Sequence, residues 1–373
     1  MPILGGLSDM SRTTDRRGGR GHAPRVVVVD DSPFMRGLIA DLLDDAGVAV
    51  VGEAGDGAEA LEVVAETRPD VVTMDVEMPG MGGLEAVERI MAETPTPILM
   101  LSAHTDDGAA VTFEALERGA VDFFAKPGGE VSAGVSREAD RLVAAVRSVA
   151  DADLDAATRD GAAADVEADA GGSAGPSTPS RDLTDPVTVV IGASTGGPNA
   201  VERVLASLPM ADCRVLIVQH MPEAFTSRFA DRLDGVSAYD VREATDGERI
   251  GAGEALVARG GNHLEVGSYR AGRLRVKLTE DDSRSVTPAV DVTMESAAGT
   301  VSDPLVGVIL TGMGSDGSIG IRAMADAGAR TIAQSEDTCV IYGMPKRAVA
   351  TGVIDAVHDL DDVAGAIFDG GVA

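Results

Sequence analysis

The chain has 373 residues, enough for two or three domains, and carries 61 acidic against 31 basic side chains, a net charge of −30. That charge repels nucleic acid and anionic membrane, so neither is an expected partner, and no apolar run approaches the ~18 residues that cross a bilayer. Only Lys126, Lys277 and Lys346 are lysines and the acid excess runs the whole length, as on a surface adapted to high salt, while two cysteines, Cys213 and Cys339, fit a reducing cytoplasm.

Residues 1–24 carry paired arginines, Arg16 and Arg17, with no hydrophobic region after them, and read as a disordered leader without an export signal. Met10 is as good an initiator as Met1. From Arg25 to about Leu142, strand and helix alternate five times. The runs VVVV (26–29), VAVV (48–51), VVTM (71–74), PILML (97–101) and VDFF (121–124) predict parallel strands buried on both faces. Between them lie helical stretches, one ended by Gly47 and one stopped by Pro69. The pattern is a doubly wound α/β domain, which binds ligands at the carboxyl ends of its strands.

Residues 147–185 change character. From Asp151 onward this stretch holds nine acidic residues, few aliphatics and no aromatic, too little apolar surface to offset its ordering entropy. It is predicted to be a flexible linker. A second α/β region begins near 186 and runs to 373. Its predicted strands are VTVVI, RVLIVQ, VGVIL and RTIA, with a β-rich insertion over 236–278.

Three carboxylates of the first region stand at strand ends: Asp30 and Asp31 after the first strand and Asp75 after the third. Converging like charges call for a hard divalent cation with oxygen ligands. Ser102 ends the fourth strand and Lys126 follows the fifth, adding a hydroxyl donor and a cation, and the set suits a phosphoryl group arriving on Asp75. A single strand-end acid is usually a helix cap, but five matched positions are not. VVDDSPFMR, MDVEMPGMGGLEA, LSA and FFAKP resemble a response-regulator receiver domain, flavodoxin-like with five parallel strands, over 25–146. The resemblance implies phosphorylation of Asp75 by a histidine kinase. It implies Mg²⁺ held by Asp31, Asp75 and the Glu77 carbonyl with Asp30 assisting, and phosphoryl oxygens bound by Ser102 and Lys126. Phe123 takes the aromatic switch position, and Gly82 replaces a more usual acid.

In the second region VTVVIGASTGGP, residues 187–198, stops a strand at Ser194 among Gly192, Gly196 and Gly197. This is either a capped strand-to-helix turn or a G-x-S-x-G elbow that lifts a nucleophile above the sheet. A phosphate cradle is a third reading, but it uses neither a histidine nor an acid. A nucleophile needs a base and an orienting acid. His22 is in the leader, His104 in the first region, His263 in a GGNHL turn and His358 on a late helical stretch. His220 closes RVLIVQ, the next strand after Ser194. Asp316 lies in LTGMGSDG, a glycine-rich turn at a third strand end, where backbone N–H groups can approach an oxyanion.

IGASTGGP, VQHMP, LTGMGSDG and QSEDTCVIYGMPK resemble the catalytic domain of the CheB family of chemotaxis methylesterases, a Rossmann-like α/β domain here over 186–373. The resemblance implies hydrolysis of glutamyl methyl esters on cytoplasmic chemoreceptors and deamidation of selected glutamines, with no cofactor for that reaction. It makes Ser194 the nucleophile, His220 the base and Asp316 the orienting acid, with Thr195 holding His220 and the Met313 N–H serving the oxyanion. The glycines are expected to clear space for a receptor side chain. The competing classes are a receiver-gated esterase or amidase for a small molecule and a catalytically silent adaptor. Tethering a receiver to an esterase predicts steric gating, the resting receiver covering the cleft.

Overall fold

The computed structural model describes residues 23–102, 106–126, 135–154, 156, 186–281 and 283–369. The leader up to residue 22 and residues 157–185 of the expected linker lie outside the described residues.

The first region has strands β1 (Arg25–Val29), β2 (Ala49–Ala54), β3 (Val71–Asp75), β4 (Ile98–Ser102) and β5 (Asp122–Ala125). They pair in parallel in the order β2-β1-β3-β4-β5. Around them pack α1 (Pro33–Asp45), α2 (Gly57–Thr67), α3 (Gly83–Glu93), α4 (Asp106–Glu117) and α5 (Val135–Ala150). Their starts follow from local chemistry: Ser32 accepts from the Met35 N–H at the head of α1, with Pro33 in its first turn, and Asp56 accepts from the Ala58 and Glu59 N–H groups at the head of α2. Helix α5 runs to Ala150, four residues beyond 146, and just after it the Asp153 N–H donates to the Val340 carbonyl at 3.1 Å. The stretch read as linker therefore begins docked on the second region.

That second region opens with β6 (Val187–Ala193), all seven residues buried, as a continuous apolar run between helical layers should be. There follow β7 (Cys213–Gln219), β8 (Asp240–Glu243), β9 (Arg249–Ile250), β10 (Glu254–Val257), β11 (His263–Arg270), β12 (Arg273–Thr279), β13 (Leu305–Ile309), β14 (Arg330–Gln334) and β15 (Ala356–His358). Interleaved helices are α6 (Gly197–Ser207), α7 (Glu223–Val236), α8 (Val290–Thr300), α9 (Ser318–Asp326), α10 (Met344–Val349) and α11 (Leu360–Phe368).

The main sheet is parallel with seven strands in the order β15-β14-β13-β6-β7-β10-β8. The insertion is thus not a separate β subdomain. Its strands β8 and β10 extend the main sheet, and only β9, β11 and β12 form an antiparallel sheet of their own. His358 ends a strand, not a helix, because it pairs with Gln334 at the sheet edge. His263 opens β11 and is buried, its ring nitrogens bonded to the Asp281 carbonyl and the Ala289 N–H. Its role is structural.

The two regions share one continuous apolar cluster. Four of the chain's seven phenylalanines meet there: Phe113 of α4 and Phe123 of β5 against Phe225 and Phe229 of α7, with Phe123 and Phe225 only 4.5 Å apart between ring centroids. Arg232 lies over the Phe113 ring at 5.6 Å and pairs with Glu202 and Glu117.

Candidate functional site

The first strand-end pocket brings all its sequence-predicted residues together. Lys126 Nζ lies 2.8 Å from Asp30 Oδ2 and 2.7 Å from Asp75 Oδ2. Asp30 and Asp75 are buried and Asp31 exposed, and one oxygen from each falls within 4.8 Å of the others. Burial raises the Asp75 carboxyl, and the Asp30 charge adds to it; Lys126 and the Glu77 N–H oppose without cancelling it. Burial works against the Lys126 ammonium as well, yet its bonds to Asp30 and Asp75 leave its pKa raised. Ser102 and Glu77 line the same cavity, of about 260 Å³. Three hard oxygen donors already gathered around an ammonium fit a divalent cation.

The second site lies where the order of the main sheet reverses. Strand β6 is its first strand in sequence but is flanked by β13 and β7, so the crevice outside the carboxyl ends of these three is a topological switch point. Ser194 leaves β6, His220 leaves β7 and Asp316 follows β13. His220 Nε2 is 2.8 Å from Asp316 Oδ2. Asp316 also accepts the Val290 N–H at 2.6 Å and the Asp291 N–H at 3.1 Å, both from the first turn of α8. Burial alone would raise the Asp316 carboxyl, but the His220 bond and charge and these N–H groups hold it below the ordinary carboxylate value. With an ionised Asp316 on Nε2, the imidazole donates there and Nδ1 is its acceptor.

Ser194 is fixed through its backbone. Its N–H donates to Thr311 O at 3.0 Å, and its carbonyl accepts from the Gly197 N–H and from Gln219 Nε2. Its hydroxyl has no hydrogen bond among the described residues. The glycines beside it serve the protein's own packing, not a visiting side chain. A Cβ on Gly192 would lie 2.4 Å from Val290, one on Gly196 2.7 Å from Val340, and one on Gly197 2.1 Å from Gln219 Oε1. Gly196 also has φ +73°, reached at little cost only without a side chain. Met313 is exposed, and its N–H has no protein acceptor among the described residues.

Thr195 departs from expectation. It is buried, and its side chain faces the carboxylate of Asp122 on β5 of the first region, whose ionised form it favours; no bond joins it to His220 among the described residues. The residue next to Ser194 thus lies at the domain junction. Burial pushes the Asp122 carboxyl up to about 7 against the help of Thr195 and the Phe123 N–H.

Sequence reasoning passed over a supporting set. Gln219 and Thr311 hold the Ser194 backbone, Gln334 Oε1 accepts the Thr311 N–H at 2.7 Å, and Asp291 Oδ1 accepts the Ile319 and Gly320 N–H groups at the start of α9. Burial first, then the Asp316 charge, raises the Asp291 carboxyl. A signal was present: Gln219 and Gln334 are amides ending the buried apolar runs VLIV and IA, where an unpaired polar group would be costly.

Residues 189–367 match the CheB methylesterase family, and residues 26–132 match the response regulator receiver domain family. A protein-glutamate methylesterase/protein-glutamine glutaminase of Haloarcula marismortui is 59% identical over 92% of this chain and 97% of its own. The chain belongs to the CheB methylesterase family. A protein of the same description from Natronomonas pharaonis is 55% identical over 92% of this chain and 96% of its own. The crystal structure of the Thermotoga maritima CheB methylesterase catalytic domain is 36% identical, covering 50% of this chain and 98% of that one, with a TM-score of 0.47. This CheB family member joins a receiver domain to a methylesterase domain.

Proposed function

We propose that this chain is a phosphorylation-controlled protein-glutamate methylesterase and glutaminase acting on cytoplasmic methyl-accepting chemoreceptors. The observation that carries the catalytic reading is the 2.8 Å bond from His220 to an Asp316 already fixed by two α8 N–H groups, beside Ser194 on the adjacent strand end. Ser194 Oγ attacks the ester carbonyl carbon while His220 Nδ1 takes its proton, and the Met313 N–H faces the oxyanion. The C–O bond then breaks, His220 protonates the leaving oxygen, and methanol departs. Water, deprotonated by His220, attacks the acyl-serine, and the proton returns to Ser194 Oγ as the glutamate is released. A glutamine follows the same course with C–N cleavage and loss of ammonia.

Asp75 is the phosphoacceptor for a chemotaxis histidine kinase, with Ser102 and Lys126 binding the phosphoryl oxygens. Asp30, Asp31, Asp75 and the Glu77 carbonyl would hold Mg²⁺, whose chemistry is to neutralise the charge of the incoming phosphoryl group. The receiver spans 25–146 with its last helix continuing to Ala150, the linker runs on to 185, and the esterase spans 186–373. Steric control is supported by the packing of Phe113 and Phe123 of the receiver on Phe225 and Phe229 of α7 and by Asp122 facing Thr195, one residue from Ser194. No helix among the described residues is long and apolar enough to cross a membrane, in keeping with action in the cytoplasm.

The test is methanol release from a methylated chemoreceptor fragment, with free glutamate methyl ester as control. Release from the receptor fragment that disappears in Ser194→Ala is expected. Preference for the free ester would favour a small-molecule esterase, and no release from either substrate would favour the silent adaptor.

A further inference from the structure

Beside the Met313 loop the surface changes sign. A broad depression of about 700 Å³ is lined by Gly314 and Ser315 of that loop, Arg322 of α9, Gly343, and Lys346 and Arg347 of α10. In a chain with twice as many acids as bases, most buried or half-buried arginines meet a carboxylate, yet none of these three exposed cations is in an ion pair among the described residues. Lys346 is moreover one of only three lysines.

The depression is built onto the catalytic loop. The Met344 N–H donates to Gly312 O at 2.7 Å and the Gly312 N–H to Ile341 O at 3.1 Å. A Cβ on Gly343 would lie 2.5 Å from Gly312 O and 3.1 Å from Met313 Cα, so α10 starts in contact with the loop. Lys346 and Arg347 then stand about one helical turn, ~5.4 Å, along α10 from that contact. The aromatic junction with the receiver involves α7, and no hydrogen bond or ion pair among the described residues links the three cations to the receiver.

We propose that Arg322, Lys346 and Arg347 form a docking surface for an acidic face of the substrate helix. This rests on the protein-esterase reading above and adds to it a requirement on sequence: the glutamyl ester is followed or preceded, one to two turns along the helix, by carboxylates that these cations grip. Charge complementarity selects this occupant. The −30 surface repels an acidic substrate elsewhere, and at high salt, with a Debye length of about 3 Å at 1 M, only pairs in contact still attract. Three cations without an internal carboxylate partner among the described residues, beside the reacting loop, supply those contacts; Arg322 meets only the Thr351 carbonyl, at 3.4 Å.

The experiment uses the full-length protein, its R322Q/K346Q/R347Q variant, and a chemoreceptor fragment in methylated and unmethylated forms. Methanol release gives KM and kcat on the methylated form; calorimetric binding of the unmethylated form reads docking without catalysis. Exposed pairs are individually weak, so the three together should raise KM and the dissociation constant about tenfold while kcat holds. K346E/R347E should bind still more weakly and recover when the fragment's acids one to two turns from the esterified glutamate are changed to lysine. Unchanged binding in the triple variant overturns the docking surface, whatever the esterase result. Absence of methanol release by the unsubstituted protein, with binding still weakened in the triple variant, overturns the reading of function and leaves the surface standing. A rise in resting activity with KM unchanged would mean that the cations hold an acidic segment of this chain, and the proposal would be wrong.

Discussion

Raising the pH should loosen the resting enzyme through a single carboxyl. Asp122 stands half-buried at the domain junction, facing Thr195, and burial lifts its carboxyl from 3.8 to about 7. The closed junction therefore binds a proton that the separated domains do not bind between these two values. A group raised in this way favours the closed state fully below its free value, and that contribution is lost as pH rises through about 7. Roughly three units at about 1.4 kcal/mol each set an upper bound of ~4 kcal/mol. Solvent reaching a half-buried group reduces this, and ~1.4 kcal/mol, a tenfold change in the closed-to-open ratio, is the effect to look for. The assay is resting, unphosphorylated methanol release by the full-length protein from pH 6 to 8.5, divided at each pH by that of Asp122→Asn. Asparagine keeps an acceptor for Thr195 and carries no charge, so it stays closed, and the ratio cancels the titration of the catalytic groups. The ratio should climb about tenfold across the window. A ratio that stays constant would refute the reasoning.

Asp316→Asn should lower turnover on the order of 10⁴-fold with the fold intact, because the His220 tautomer is no longer set; near-normal turnover would remove Asp316 from the mechanism. His263→Ala should act on stability, leaving the Ala289 N–H buried without its acceptor at a cost of about 1–3 kcal/mol, which a denaturant titration reads. Phe225→Ala opens the aromatic junction and should raise resting activity toward the phosphorylated level; unchanged resting activity would separate junction packing from control. The melting temperature should climb steadily into molar KCl, since the repulsion of a −30 chain is screened only there, and a flat profile from 0.1 to 2 M would contradict salt adaptation.

The candidate residues were legible where strand ends betray themselves. Runs such as VTVVIGA and CRVLIVQ stop at chemistry-bearing residues, and a parallel sheet sends those stops to one edge. What the pattern could not give was strand order. Nothing local in DVRE or EALV tells that they join the main sheet beyond β7, because edge membership is decided by packing against α7 and by register with β7. His358 was misplaced for the same reason: three residues of strand pairing outweighed a helical-looking context. The glycines around Ser194 were read outward, toward a substrate, while their neighbours Val290, Val340 and Gln219 come from three distant segments that no local pattern connects.

Strand β5 explains how one event can reach both sites. Over five consecutive positions, 122 to 126, the strand and the residue after it carry the carboxyl facing Thr195, the ring tilted against Phe225, and the ammonium bound to Asp30 and Asp75. The ammonium is the only one of the three that meets the phosphoacceptor. Phosphorylating Asp75 adds a bulkier and more highly charged group to the carboxylate to which Lys126 is bonded, so Lys126 must move. A four-residue strand paired on one side only, to β4, has few ladder bonds to resist that pull. Any shift of its end displaces Phe123 against Phe225 and Asp122 against Thr195 together, because interior packing does not deform continuously. Removing either contact alone should therefore release only part of the restraint, and the double variant Phe225→Ala with Thr195→Val should approach the activity of the freed domain more nearly than either single change.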